Sequence, residues 1–551
     1  MSNAVRRRAM AFLCRSRLYR FTLAGATPRE FARNLAIRWP GDARRGAALL
    51  GGDFQFAGET LRLGAPYAAP AQASAEWLAE FHGFSWLADL ATLGSAEARA
   101  IGRSAIATWI ADNPAWHALS WRCDVLAARL VAWVTQFESF FAAGGDDRLR
   151  DALLASLARQ ARHLARVAAW EASGAARLHA LKGMILVSIA LGLGERRVAA
   201  ALDALARELP LQVLPDGGHV ERCPAAQLTV LRDLVDVRTA LRTAHVVVPD
   251  ALQMAIDRMA PMLRLFRHGD GRLAQFNDTS EEYGALADLL LTRSEVRARP
   301  PLSAPHSGFQ RLACGKTIVV VDTGAPPPPG LDRRAHAGTL SFEMSVGRER
   351  LIVNCGAYRG GNLDWRRAAR NTAAHSTLTV ADTNSAEICD DLTLGHRPTI
   401  SNAERAEADG SQFIAAAHDG YRAQFGVTHA RHLFLAADGD DLRGEDSLTS
   451  EGGTARDASF AIRFHLHPTV QVSLIQDGAA ALLRLASGAG FRLRAQGAQM
   501  SLAESIYLGS GAIKKTQQIV LAGMIGGKPD GAIGATVKWA IRREGKKAAE
   551  E

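Results

Sequence analysis

The chain has 551 residues, 48% of them apolar and 22% charged, with a formal net charge of +9 and a pI near 9.5. This length supports two or more domains with their own cores, and six scattered cysteines, none in a CxxC pair, read as free thiols and not as a stapled scaffold. A basic surface favours anionic partners such as uronate-rich glycans or a membrane surface; no DNA- or RNA-binding motif accompanies it, so nucleic acid is not expected.

The first segment, residues 1–30, opens MSNAVRRRAMAFLCRSRLYRF. Arg15 and Arg17 interrupt its apolar run and no small-residue cleavage site follows, so no signal peptide is expected and the chain reads as cytoplasmic. The same segment is basic and amphipathic, which suits peripheral contact with an anionic membrane. No stretch of about 20 apolar residues is present to span a bilayer.

Residues 31–295 read as helical. Trp77, Phe81, Phe84 and Leu87 share a face, as do Leu126, Leu130, Trp133 and Phe137. Leu178, Leu181, Ile185 and Ile189 repeat the pattern, followed by Val230, Leu234, Val237 and Leu241, and by Leu252, Ile256, Met259, Leu263 and Phe266. Ala-rich faces let such helices approach closely, in an open solenoid or an incomplete toroid. Residues 296–307 form a Pro-rich linker. From 308 to 540 short alternating runs with Gly and Asp turns predict an antiparallel β-sandwich. Residues 541–551 are a charged tail.

The most informative stretch is 336–378. After His336, Leu340, Phe342, Met344 and Val346 alternate with Ser341, Glu343 and Ser345; Gly347 and Arg348 turn the chain, and Leu351 to Val353 run back. Arg370, Asn371 and His375 follow. Two imidazoles and several cations on one sheet suit an acidic ligand. The motifs HAGTLSF, VNCG and RNTAAHST resemble the H-x-D-x-L-S-F, V-D-P-G and R-x-T-x-A-H-N-T elements of the heparinase II/III family of polysaccharide lyases. FHGFSWLADL, WRCDVLAARLVAWV, LPDGGHVERCP and RFHLHP extend the resemblance over both halves. The expected fold is multidomain α+β: an N-terminal incomplete (α/α) toroid, then a C-terminal antiparallel β-sandwich.

The resemblance implies β-elimination on a uronic-acid polysaccharide. A carboxylate must be neutralised while a base removes the C5 proton and an acid protonates the leaving oxygen. His336 and His375 stand at the family's sandwich histidines. Tyr283 is the candidate catalytic tyrosine, since its separation from Gln227 resembles the family's spacing; Tyr358 and Tyr421 are its rivals. Gln227 stands where relatives carry a carboxylate-binding His or Asn, and His219 in the preceding loop can substitute for it. Arg370 can grip a carboxylate in bidentate fashion, and Tyr421 is a further substrate contact.

Some relatives hold a structural metal in the sandwich. The matching positions here are Gly338, Asn354 and His375, a poor ligand set, so no zinc is expected, and no other cofactor. H-L-H at 465–467 supplies no third ligand. There is no Walker A loop and no G-x-S-x-G elbow. The expected function is therefore an anionic-polysaccharide lyase. The alternative is a glycan-binding or polysaccharide-assembly protein on the same fold with weakened catalysis. The resemblance implies the cell envelope or periplasm, against the cytoplasmic reading of the N-terminus.

Overall fold

The computed structural model describes residues 12–35, 37–141, 147–450, 456–527 and 533–545. The start of the basic segment and the end of the charged tail lie outside them. The chain divides into two compact units. One comprises Met1–Gln212, Thr229–Ile256 and Arg359–Gly361; the other Val213–Leu228, Asp257–Tyr358 and Asn362–Glu551.

The first unit is helical, as its periodicity predicts. Helix Gly174–Ala190 is its centre and packs on Cys123–Thr135, Asp147–Glu171 and Glu195–Gln212. Serine side chains start two of the earlier helices: Ser74 accepts from Trp77 N and Ser95 from Ala98 N. One element departs from the helical expectation. Asp53–Phe56 and Glu59–Arg62 form a β-hairpin. Ala57 and Gly58 take φ of 47° and 74°, the left-handed pair that joins two twisted strands. Phe54 and Phe56 alternate inward, onto Trp86 at 5.5 Å and Trp77 at 5.2 Å. Burying these rings outweighs helix continuation.

Two buried cations shape this unit. Arg129 donates to Gln160 Oε1 and His82 O and lies 3.9 Å from the Trp109 ring centre. Lys182 Nζ sits 2.8 Å from Asp233 and 2.6 Å from Asp236. At the N-terminal end, helix Arg17–Thr22 is tied to the long helix behind it through Tyr19 Oη and His163 Nδ1 at 2.7 Å. Cys14 and Leu23 are buried, while Phe12, Leu13, Leu18 and Phe21 stand exposed. Among the described residues no helix is long and apolar enough to cross a membrane.

The second unit holds two nine-stranded antiparallel sheets. The main path of one runs Gln499–Tyr507, Lys514–Met524, Ser459–Leu466, Glu349–Val353, Phe342–Val346, Thr317–Asp322, Phe309–Cys314, Ser303–Ala304. The other runs Gln471–Ile475, Ala480–Arg484, Gly490–Gln496, Ile533–Arg543, Asp441–Ser450, Val427–Leu435, Ser411–His418, Ile400–Ala408. Their inner faces share one core, in which Phe342 stacks on Trp539 at 5.7 Å and Phe464 meets the same indole at 4.9 Å. Ser303–Ala304, at the end of the Pro-rich stretch, already pairs with this sheet.

The predicted hairpin forms, Phe342–Val346 with Glu349–Val353, turning at Gly347 with φ 57°. Its alternation does not separate core from solvent, because both faces are buried. Glu343 is fully buried and accepts from His268, Gln275 N and Asn354 N. Behind Phe342 lies a second polar network. Asp446 accepts from His429, Arg431 and Trp539, and Arg431 donates to Leu340 O and Ser376 O. All six described thiols, from Cys14 to Cys389, are free.

Candidate functional site

The loop LPDGGHVERCP and the segments 277–279, 332–337 and 370–375 converge within the second unit. Gly217 takes φ 84°, and a Cβ there would stand 2.1 Å from Arg258 O; a Cβ on Gly218 would meet Ser307 at 2.4 Å. The two glycines are thus required by close packing. Asp216 accepts from Ser307 N at 2.7 Å, and Arg222 donates to Ser307 O at 2.6 Å and pairs with Asp322. These contacts pin the loop to the first strands of the sandwich. Asn277 continues the chain of contacts: its Nδ2 donates to Arg222 O at 2.6 Å and its Oδ1 accepts from His336 N at 2.8 Å.

His336 and His375 meet within the second unit. His336 Nδ1 and His375 Nε2 are 3.1 Å apart, and His375 Nδ1 is 2.8 Å from Asn371 O. Burial, then the neighbouring His375 and Arg370, hold His336 well below the usual imidazole range; burial brings His375 down to about 4. Both rings are therefore neutral near pH 7, which assigns their tautomers. A carbonyl only accepts, so His375 carries its proton on Nδ1 and accepts at Nε2. His336 then donates from Nδ1, and its Nε2 keeps a lone pair.

Gln227, Arg370 and Tyr421 have their polar groups engaged internally. Gln227 is buried; its Oε1 accepts from His219 N at 2.7 Å, and its Nε2 donates to Gly217 O at 2.8 Å and Met259 O at 3.0 Å. The amide holds the glycine loop instead of offering itself to a carboxylate. His219 is buried, its pKa pulled to about 3 by burial and then by Arg334. Arg370 donates to Ala335 O at 2.7 Å, Leu392 O at 2.7 Å and Asp332 O at 3.3 Å. Its fork grips main chain. Tyr421 lies in the sandwich core and donates to Leu378 O at 2.8 Å, so packing replaces the expected substrate contact. Tyr283 closes the 3-10 turn Glu281–Tyr283 and is half-buried. The hydrogen bonds of His336 run to Asn277 and His375 and not to Tyr283. Tyr358 stacks on Trp365 at 5.9 Å.

The position that carries aspartate in H-x-D-x-L-S-F is Gly338, and a Cβ there would stand 2.7 Å from His375 Cδ2. Asn354 accepts from Ser376 N and donates to Gln275 O. With both ring nitrogens of His375 also bonded, this trio does not fit a metal. Among the described residues no group of three or more His, Cys, Asp and Glu side chains is arranged to hold one.

Sequence reasoning missed Asn277, which fixes the backbone of His336, and Arg334, the cation beside His219. A signal for Asn277 existed: asparagine before Asp and Thr favours a left-handed loop position, and its φ is 53°.

A family model described as heparinase II/III-like, C-terminal, matches residues 296–540. FtsZ-localized protein C of Caulobacter vibrioides is 33% identical over 524 residues, which cover 92% of this chain and 88% of that protein. Among solved structures, heparinase III aligns with a TM-score of 0.74 at 13% identity, covering 96% of this chain and 88% of the other. Heparan sulfate lyase HepC from Pedobacter heparinus aligns with a TM-score of 0.61 at 16% identity, covering 96% and 88%. At these identities the likeness carries the fold, a helical toroid followed by an antiparallel β-sandwich. With the family model on the sandwich and a relative matched along nearly the whole length, the chain belongs to the heparinase II/III-like family.

Proposed function

We propose that this chain binds an anionic, uronate-bearing glycan without cleaving it, and that it is FtsZ-localized, as its relative is named. One observation carries the reading. Arg370 and Gln227, the groups expected to neutralise the substrate carboxylate, are engaged with main-chain partners. With these two groups engaged, charge developing during C5 proton removal lacks the stabilisation expected from them. The test is incubation with a panel of uronate polymers, followed by ultraviolet absorbance of a C4–C5 double bond. The expected result is binding with no absorbance change; a steady rise on any polymer sinks the proposal.

The lone pair on His336 Nε2 favours a second reading, in which catalysis survives with His336 as base and Tyr283 as its partner. In that case His336→Ala would lower turnover by about 10²–10⁴, the usual size of general acid–base contributions.

The N-terminal segment supports peripheral membrane contact. Phe12, Leu13, Leu18 and Phe21 are exposed beside Arg15 and Arg20, apolar and cationic groups that suit an anionic interface. Serine at Phe12, Leu18 and Phe21 together is expected to reduce co-sedimentation with phosphatidylglycerol vesicles several-fold. Unchanged co-sedimentation would remove this contact from the picture.

A further inference from the structure

In the sheet that contains Val427–Leu435, inward residues alternate with outward ones. On such a sheet the outer face is ordinarily polar. Here it also carries aromatic rings. Phe413 and Phe434 stand outward and half-buried, with His432 beside them, and together with cationic neighbours they line a groove of about 480 Å³.

The strand register gives the groove its order. Phe413 pairs with Phe434, Phe434 with Arg443, Arg443 with Ala540, and Ala540 with Arg494. These residues form one rung across five strands, spanning about 19 Å at the usual spacing of about 4.8 Å. The next rung runs His432, Glu445, Lys538, Gln496. Aromatic rings thus occupy one end and cations the other, and Ala540 leaves the dip between Arg443 and Arg494.

The charges are not all balanced. Arg443 pairs with Asp441 at 2.9 Å and Lys538 with Glu445 at 3.5 Å. Arg494 is exposed, and among the described residues its polar partner is the neutral amide of Gln476 at 3.3 Å. Arg443 also lies 5.7 Å from the Phe434 ring centre, which steadies its guanidinium over the groove.

Flat aromatic faces at one end of the groove and an uncompensated arginine at the other suit a pyranose chain bearing carboxylates. The rings stack on the apolar faces of the sugars, and guanidinium forks meet the acid groups. The step between strands is comparable with the length of one pyranose along a chain. An acidic peptide fits less well. Peptides add to sheets at open edges, whereas the strands under this groove have their main-chain groups paired on both sides.

We propose that this outer sheet face is a binding site for a short stretch of uronate-bearing glycan, with Phe413 and Phe434 as the stacking platform and Arg443 and Arg494 as the carboxylate contacts. The site lies outside the His336–His375 centre. The proposal rests on the reading of the chain as a glycan-binding protein, and gives that reading a location.

The test is calorimetric titration of the full chain with a hexamer of galacturonate, with cellohexaose and polyglutamate as controls. Phe434→Ala with Arg494→Ala is expected to weaken hexagalacturonate binding about ten- to a hundredfold, the size of losing one charged hydrogen bond. Cellohexaose and polyglutamate should both bind more weakly than the uronate. If the double variant loses its fold, the single Arg494→Glu change at an exposed position serves, with the same expected loss. Unchanged uronate affinity in a folded variant overturns the sheet site and leaves the glycan-binding function standing. Polyglutamate binding as tightly as the uronate overturns the sugar assignment. No binding of the uronate by the wild type overturns both.

Discussion

Asp446→Asn is expected to lower the stability of the sandwich unit by about 3–5 kcal/mol, the usual consequence of removing one partner from a buried ion pair. The carboxylate is fully buried. One oxygen accepts from His429 Nε2 at 2.8 Å and Arg431 Nε at 2.7 Å; the other accepts from Trp539 Nε1 at 2.9 Å. Asparagine keeps the shape and loses the charge, so Arg431 stays buried without a counter-ion. The same guanidinium donates to Leu340 O and Ser376 O, each at 2.8 Å, and so joins one sheet to the segments flanking His336 and His375. The pH dependence has a definite sign. Burial opposes ionisation of Asp446, but Arg431 and His429 outweigh it and hold the carboxyl below its usual range. The stability is therefore fully present above the unfolded value of about 4 and is lost as pH falls below it. Denaturant midpoints of both proteins between neutral and acid pH check this. A loss under about 1 kcal/mol at neutral pH would mean that the network is not closed to water.

The helices and the Phe342–Val353 hairpin were legible because each rests on a periodic pattern that burial enforces locally. Trp77 and Phe81, or Leu178 and Leu181, are buried as that pattern requires. The hairpin at 53–62 was not legible, because its reason is an aromatic cluster assembled with Trp77 and Trp86 from elsewhere in the chain. His336 and His375 each had a visible signal in a motif, though their contact did not. The roles of Arg370 and Gln227 had none. Their side chains suit a carboxylate, and what claims them instead are main-chain groups at Asp332, Ala335, Leu392, Gly217 and Met259. Carbonyl groups carry no residue identity, so a sequence cannot announce that they will be the partners. Glu343 teaches the same point: a polar residue on an alternating strand looks solvent-facing until the covering segment is known.

Arg370→Ala is expected to destabilise the second unit by about 2–4 kcal/mol, since charged donors are withdrawn from buried carbonyls at about 1–3 kcal/mol each, with partial relaxation. Arg370 is 5% exposed, and burial brings its pKa down to about 10. Its contacts bracket His336. The guanidinium holds Ala335 O, the Arg370 carbonyl accepts from Ala337 N at 2.9 Å, and Thr372 Oγ1 donates to Ala337 O at 2.6 Å. Loss of the fork should therefore loosen His336 from His375, which nitrogen-15 spectra of the two rings would register as a change in tautomer. Arg370→Lys should fail nearly as badly, because an ammonium cannot reproduce the planar fork. A ligand-binding arginine behaves in the opposite way. Its removal would leave the unfolding midpoint and the imidazole spectra unchanged while weakening uronate binding about tenfold or more, the scale of a lost charge-assisted contact. That outcome would return Arg370 to the substrate and reopen elimination as this protein's chemistry. A lower midpoint with altered imidazole spectra would establish it as the clasp that positions His336.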